Sequence, residues 1–261
     1  RKDPRFHGWK WFKGAAEQLE TMASIRAQLI PERGIRLTEA DIPGFPAVDI
    51  QAELYDLESP EKVESCYREM AAAVEDLRLH RNTDKDPEHP LTKMLRLRQE
   101  VELLKIPVAV ELVEDYIAKG FSTAIFCNFE QTIDELVKRL PDSRVISGST
   151  ADTRQETVDM FQDNRCRSLI INNQAGGISL SLQDLDGQHP RVGIVFPGFS
   201  AVTLRQVFGR FPRVGGKSIS RYRVIFASGT IETSIHRAVA PKLDNLDALT
   251  DADCTPENLR M

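Results

Sequence analysis

QVFGRFPRVGGKS, residues 206–218, closes on four residues that look like the tail of a phosphate-binding loop. A Walker A loop is G-x-x-x-x-G-K-[ST], so a glycine must stand six residues before the lysine. That place before Lys217 is held by Phe211, and no apolar strand runs directly into the segment. The P-loop reading fails. What remains is Gln206, Gly209, Arg210 and Arg213 in the spacing Q-x-x-G-R-x-x-R. Around them, Arg205, Arg210, Arg213, Lys217, Arg221 and Arg223 form a basic strip without an acidic residue, on a chain of formal net charge −5. An acidic protein does not coat nucleic acid indiscriminately, but a local basic strip can hold phosphates at one place. A solvated charged face is the plainer alternative. Phe208, Gly209, Phe211 and Pro212 interrupt the strip, so it is no simple exposed helix.

The bulk composition is that of a soluble globular chain: 261 residues, 41% hydrophobic and 28% charged. That length holds one large domain or one domain with a substantial appendage. No apolar run approaches the roughly 20 residues that span a bilayer, so no membrane association is expected. The start, RKDPRFHGWKWFKG, is basic with no apolar core behind it, unlike a signal peptide, and it lacks an initiator methionine, which reads as a fragment of a longer protein. Cys66, Cys127, Cys166 and Cys254 are far apart and make no C-x-x-C, which fits a reduced intracellular compartment. The histidines show no metal-ligand spacing, so no metal site is expected in this chain.

The second half alternates short apolar runs with amphipathic stretches. Strands are expected at 122–127, 144–147, 167–171, 191–196 and 222–227, with helices at 130–140, 153–162, from about Ser200, and at 230–243. Strands alternating with helices predict a doubly wound α/β domain, its parallel sheet covered on both faces. In such sheets ligands gather beyond the carboxyl ends of the strands. The informative turns are then NFEQT after Cys127, SGSTADTR after Ile146, NNQAGG after Ile171 and PGFS after Phe196. The first half predicts long helices at 59–82, 91–105 and from Pro107 to Gly120. The expected division is a partly helical connecting arm over 1–48, a helical lead-in over 49–105, the α/β lobe over 106–245 and a tail over 246–261.

Six stretches in order resemble the second RecA-like lobe of superfamily 2 helicases and translocases. LRLRQEVELLKIPVAVELVEDYIAKG is similar to the segment leading into that lobe, where an activator lysine–proline pair precedes the first helix. AIFCNFEQTIDEL resembles motif IV, and ISGSTADTRQETVDMFQ the segment that follows it. NNQAGGISLSL resembles motif V, QVFGRFPRVGGKS motif VI, and ASGTIETSI the closing strand-to-helix step. The likeness covers roughly residues 91–245 and is nearest to the Swi/Snf-type ATPases, their HARP-like annealing-helicase branch in particular. In that pattern an acidic residue usually precedes the first arginine of motif VI; here Gly209 stands there, as in superfamily 2 helicases generally.

The resemblance implies that Arg210 and Arg213 contact the γ-phosphate of ATP, with Gln206 orienting them or the attacking water. Guanidinium suits that role because it is planar, always charged and grips oxygens in pairs. On the helix expected after PGFS, Arg210 and Arg213 are i and i+3 and share one face, with Gln206 one turn further back on it; surface ion pairing is the alternative. Gly176, Gly177 and Gly209 would let backbone approach a nucleotide, although a tight turn needs the same glycines. Asn172 and Asn173 stand where the family usually has serine and threonine touching the nucleic-acid backbone, and asparagine can still donate to phosphate. Ser149, Thr150 and Arg154 could hold a phosphate at a helix start, or Thr150 or Asp152 could simply cap it. Asn128 is read either as a strand-end cap or as a backbone contact. The first lobe, with the P-loop lysine and the acids that hold magnesium, is absent, so ATP with Mg2+ is expected to be bound mainly by that lobe. The implied partners are the first lobe and a nucleic acid, duplex DNA favoured. An RNA or single-stranded DNA helicase lobe is the alternative, and a non-catalytic binding module is a reading from another class.

Overall fold

The computed structural model describes residues 2–3, 8–9, 41–78, 89–173, 180–198 and 201–237. Two compact units emerge, one of residues 1–43 with 245–261 and one of residues 44–244. In the first, β1 (Lys2–Asp3) pairs antiparallel with β2 (Gly8–Trp9). The rest of the expected arm, its helical stretch included, and the expected tail lie outside the described residues, apart from 41–48.

The second unit holds β3 (Val48–Tyr55), α1 (Pro60–Arg78), α2 (Pro90–Leu104), α3 (Ile106–Ala118), β4 (Ser122–Cys127), α4 (Glu130–Arg139), β5 (Arg144–Ile146), α5 (Arg154–Gln162), β6 (Ser168–Asn172), β7 (Arg191–Val195), α6 (Ala201–Phe208) and β8 (Ser220–Ala227). Six of the strands form a sheet in the order β3-β8-β7-β4-β6-β5, every neighbouring pair parallel. β4, β6 and β7 are buried along their whole length, which is why they read as continuous apolar runs. Alternate residues serve the two faces. Ile125, Cys127, Ile170, Ile194, Phe196 and Ile225 pack beneath Ile106, Ala109 and Val113 of α3 and Ile133 and Leu136 of α4. On the other face Phe126 and Tyr222 meet Phe208 and Phe211 from α6 and the loop beyond it.

The expected strands are all present. The segment expected as a helical lead-in, 49–105, also carries a strand that was not expected: VDIQAELY is a sixth strand, β3, pairing with β8 along all eight residues from Val48↔Ser220 to Tyr55↔Ala227. Asp49 and Glu53, two positions of one face, meet the Arg223 guanidinium at 3.2 and 2.9 Å. The compact unit accordingly begins near Gly44 and has no break at 105/106. Of the expected last helix, residues 232–237 are helical and the remainder lies outside the described residues.

α2 and α3 meet at Lys105, which caps both, with Pro107 in the first turn of α3. Proline suits that first turn because its missing N–H would have no helical partner there. The Lys105 ammonium, 2% exposed, passes to Glu232, 1% exposed, at 2.7 Å. It also donates to Ile225 O at 3.3 Å. Glu232 Oε1 accepts from Tyr67 Oη at 2.7 Å, and Oε2 from the Ala227 backbone N–H at 2.7 Å. One carboxylate thus joins α1, the α2–α3 junction and the end of β8. Around it Val63, Cys66, Met70, Leu97, Val101 and Ala227 form a second apolar cluster under the α1–α2 hairpin.

Removing one member of a buried ion pair leaves the other charge uncompensated, which costs about 3–5 kcal/mol. Lys105→Met should therefore lower the unfolding free energy by about that amount, read by urea denaturation. Lys105→Met combined with Glu232→Gln should recover a substantial part. A double variant no more stable than the single one would show that the pair is not coupled.

Candidate functional site

Two groups of expected site residues lie in different parts of the sheet. The first is at the carboxyl ends of β4 and β6. Asn128 directly follows β4, and its Nδ2 donates to Glu102 Oε2 at 2.7 Å and to Phe196 O at 3.3 Å. The second oxygen of Glu102 accepts from the Asn128 backbone N–H at 2.9 Å. Asn128 Oδ1 accepts from Asn173 Nδ2 at 3.0 Å, while Asn172 Nδ2 donates to Glu130 Oε1 at 2.9 Å. Asn172 and Asn173 are both buried, and Asn173 Oδ1 is enclosed without a hydrogen-bond partner. Burial pushes the Glu102 carboxyl up from its ordinary value, and the two bonds from Asn128 oppose that shift. Asn128 is thus a strand-end cap tied to a buried acid.

Beyond β5, Thr150 Oγ1 accepts from the Ser147 N–H at 2.9 Å and donates to Val145 O at 3.2 Å. Ser147 Oγ and Ser149 Oγ lie 2.8 Å apart. The Thr150 hydroxyl is engaged in closing this turn. The N-cap of α5 is Thr153, with no side-chain cap bond, so neither Thr150 nor Asp152 caps the helix as the sequence suggested. Arg154 opens α5 half-buried, its Nε enclosed without a partner. Gly176 and Gly177 lie outside the described residues.

The second group is the loop after α6. The helix ends at Phe208, so Arg210 and Arg213 do not share a helical face with Gln206, contrary to the i, i+3 expectation. Gly209 and Pro212 account for this: glycine weakens the last turn, and a residue preceding proline is pushed out of the α region. Gln206 is exposed on α6, whereas Arg210 is 6% exposed beyond its end. The loop is fastened to β8 by Tyr222, whose hydroxyl donates to Val207 O at 3.1 Å and accepts from the Phe211 N–H at 3.2 Å. The Phe211 and Tyr222 rings stack at 5.0 Å. Arg210 O accepts from the Leu182 N–H at 3.0 Å, which brings the segment after NNQAGG alongside.

The two arginines are nevertheless close enough to interact. Burial first, and the neighbouring Arg213 charge second, push the Arg210 guanidinium below its ordinary value. Arg213 is half-buried with its Nε enclosed and without a partner. Lys217 is exposed, and its backbone N–H goes to Asp184 O at 2.8 Å in a surface turn. Among the described residues, no group of His, Cys, Asp or Glu is arranged to hold a metal ion. No helix among them is long and apolar enough to cross a membrane.

Glu102, Glu232, Tyr222 and Gly193 escaped the sequence reading. The acids carried a signal: Glu102 interrupts the apolar run VELLKIPVAV, and Glu232 sits inside GTIE. Gly193, beside Tyr222 in the β7–β8 register, has no such mark. A Cβ there would lie 2.4 Å from the Tyr222 ring and 3.2 Å from Phe211. Gly193→Ala should therefore force the ring aside, costing about 1–3 kcal/mol by overpacking, and Tyr222→Phe should cost about 1–3 kcal/mol by orphaning the Phe211 N–H. Thermal unfolding of both variants checks this; wild-type stability in Gly193→Ala would show that the loop is not wedged by Tyr222.

No family model matches the chain. A protein of Acanthamoeba polyphaga mimivirus that carries the name of an ATP-dependent RNA helicase is 34% identical over 245 residues, 92% of this chain and 45% of that protein. The chain therefore spans somewhat less than half of that relative's length. Among solved structures, the C-terminal part of the Fun30 ATPase domain superposes with a TM-score of 0.56 at 15% identity, covering 78% of this chain and 97% of that one. The fold is RecA-like, a parallel sheet with helices on both faces, as the strand–helix alternation predicted.

Proposed function

Starting from a helicase-related lobe with this fold, we propose that the chain is the second motor lobe of a superfamily 2, Swi/Snf-type ATPase of the HARP-like branch, driven along nucleic acid by ATP. The observation that carries the reading is the arginine pair after α6. Burial first and the Arg213 charge second lower the Arg210 guanidinium, and Arg213 keeps an enclosed Nε without an acceptor. No acidic residue lies between Arg205 and Arg223 in the sequence. An enclosed guanidinium nitrogen without an acceptor favours an anion that brings its own charge, and a γ-phosphate in transfer does so. In this proposal Arg213 is the finger, Arg210 the partly structural partner and Gln206 the polar group beside them. ATP and Mg2+ would be held mainly by a first lobe, with Gly209, Gly176 and Gly177 giving backbone access on this side.

Duplex DNA is the substrate that the motif resemblance favours; the name of the mimiviral relative favours RNA. Stimulation of ATP turnover by duplex DNA against RNA in the complete enzyme separates them. Binding to this chain should be weak and fall steeply with salt, because few basic side chains meet phosphate on an acidic protein.

In the complete enzyme Arg213→Ala should lower kcat by about 10³-fold or more with KM for ATP little changed, since a finger meets charge that develops in the transition state. Arg210→Ala should lose turnover and folding stability together, because its guanidinium is buried. Lys217→Ala should stay close to wild type, and the isolated chain should not turn over ATP. Steady-state kinetics with circular dichroism decide: inactivation by Lys217→Ala and not by Arg213→Ala would overturn the assignment.

A further inference from the structure

The turn that leads to Arg213 is closed by a side chain from the sheet. In a helix continued past Phe208, the Phe211 N–H would bond Val207 O, four residues back. Instead the Tyr222 hydroxyl stands between them, donating to Val207 O at 3.1 Å and accepting from the Phe211 N–H at 3.2 Å. A side chain inserted into the ladder in this way interrupts a helix. The partners fix the proton, since the carbonyl can only accept and the N–H can only donate. The tyrosine is itself held: it is 0% exposed, stacked on Phe211 at 5.0 Å and edge-on to Phe208 at 5.1 Å. Its ring fills the space over Gly193. Phe211 is thus anchored twice, by its N–H and by its ring. One residue separates it from Arg213, the buried Pro212. Proline fixes its own φ and restricts the residue before it, so this step is stiff. On the far side Arg213 O accepts from the Gly216 N–H at 2.9 Å. Arg213 is half-buried and Val214 after it is 68% exposed, so the loop opens to the surface at the arginine.

We propose that Tyr222 is a positioning residue for ATP turnover: by holding Phe211 it fixes, through the stiff Phe211–Pro212 step, where Arg213 presents its guanidinium to the transferring phosphate. The inference rests on the motor-lobe reading above and adds to it a residue of β8 that lies outside the arginine motif. Tyr222 touches no ligand; its one proton goes to Val207 O and its ring is enclosed. In Tyr222→Phe the ring stays, over Gly193 and against Phe211, and only the bridge is lost. The Phe211 N–H then loses its acceptor. Val207 O, the helical alternative, already accepts from the Arg210 N–H at 3.1 Å. The step that carries Arg213 is left without its polar anchor. A catalytic group displaced by about 1 Å loses about 10²-fold in rate. ATP binding, which the reading above gives mainly to a first lobe, is spared.

The test is steady-state ATP turnover by the complete enzyme, at a temperature where circular dichroism shows each variant folded. Tyr222→Phe should lower kcat by about 10- to 100-fold and leave KM for ATP within about twofold. Val63→Ala opens a space in the apolar cluster under the α1–α2 hairpin, which shares no residue with the loop. It lowers stability alone and should leave kcat within about twofold of wild type. Added to Arg213→Lys, Tyr222→Phe should cost less than about threefold, because the guanidinium it positions is gone. Gly193→Ala, which drives the ring aside, should reproduce the kcat loss and carries the test if Tyr222→Phe does not fold. Wild-type kcat in Tyr222→Phe beside an inactive Arg213→Ala would overturn the inference and leave the motor reading intact. An equal loss in Val63→Ala, or an undiminished loss on top of Arg213→Lys, would do the same. Full turnover in Arg213→Ala would overturn both.

Discussion

The Lys105–Glu232 pair is the constraint on which the remaining architecture depends. Two opposite charges, both almost fully enclosed, lie 2.7 Å apart where α2, α3 and the end of β8 converge. Burial alone pushes the Lys105 ammonium down, and the Glu232 charge pulls it back. A buried pair of this kind is weak evidence of net stability, since desolvation consumes most of the Coulombic gain. Its value is geometric. The carboxylate also takes the Tyr67 hydroxyl and the Ala227 N–H, so the α1–α2 hairpin, the break at Pro107 and the turn after β8 share one anchor. A slip in any of these elements would expose a charge to a wall without a partner.

That anchor explains how residues distant in sequence reach the carboxyl ends of the strands. Glu102 sits one turn before Lys105 on α2, so the helix that positions the ammonium also delivers a carboxylate to Asn128. The arginine loop is held by different means. The Tyr222 hydroxyl, an aromatic stack and the space left by Gly193 fasten it to the sheet. Arg213 Nε there is enclosed without a hydrogen-bond partner, whereas the amide groups at the strand ends are largely consumed by the fold.

The centre of the sheet was legible because β4, β6 and β7 are buried along their whole length and read as continuous apolar runs. β3 was not, since Asp49, Gln51 and Glu53 alternate with Val48, Ile50, Ala52 and Leu54 between a proline-rich turn and a long helix. Period-two alternation was available there, but its acids make sense only once Arg223 is seen across the strand pair. Gln206, Arg210 and Arg213 stand out in the sequence by their spacing, but the helical face expected to join them is absent, because the helix ends at Phe208. Gly209 and Pro212 marked the helix end, yet closeness of the arginines depends on Tyr222, a contact between elements that spacing cannot report.

The asparagines show a deeper limit of spacing. In sequence, Asn128, Asn172 and Asn173 are interchangeable polar residues after strands, each able to donate or accept. Folding removes that freedom in order. Glu102 accepts from Asn128 and orients it; Asn128 then orients Asn173, while Glu130 claims the Asn172 amide nitrogen. The chemistry displayed at the strand end is therefore decided by an acid on α2, a residue that belongs to no motif of the strand itself. A residue type at a motif position fixes what a site can do; the partners behind it fix which of those things it does.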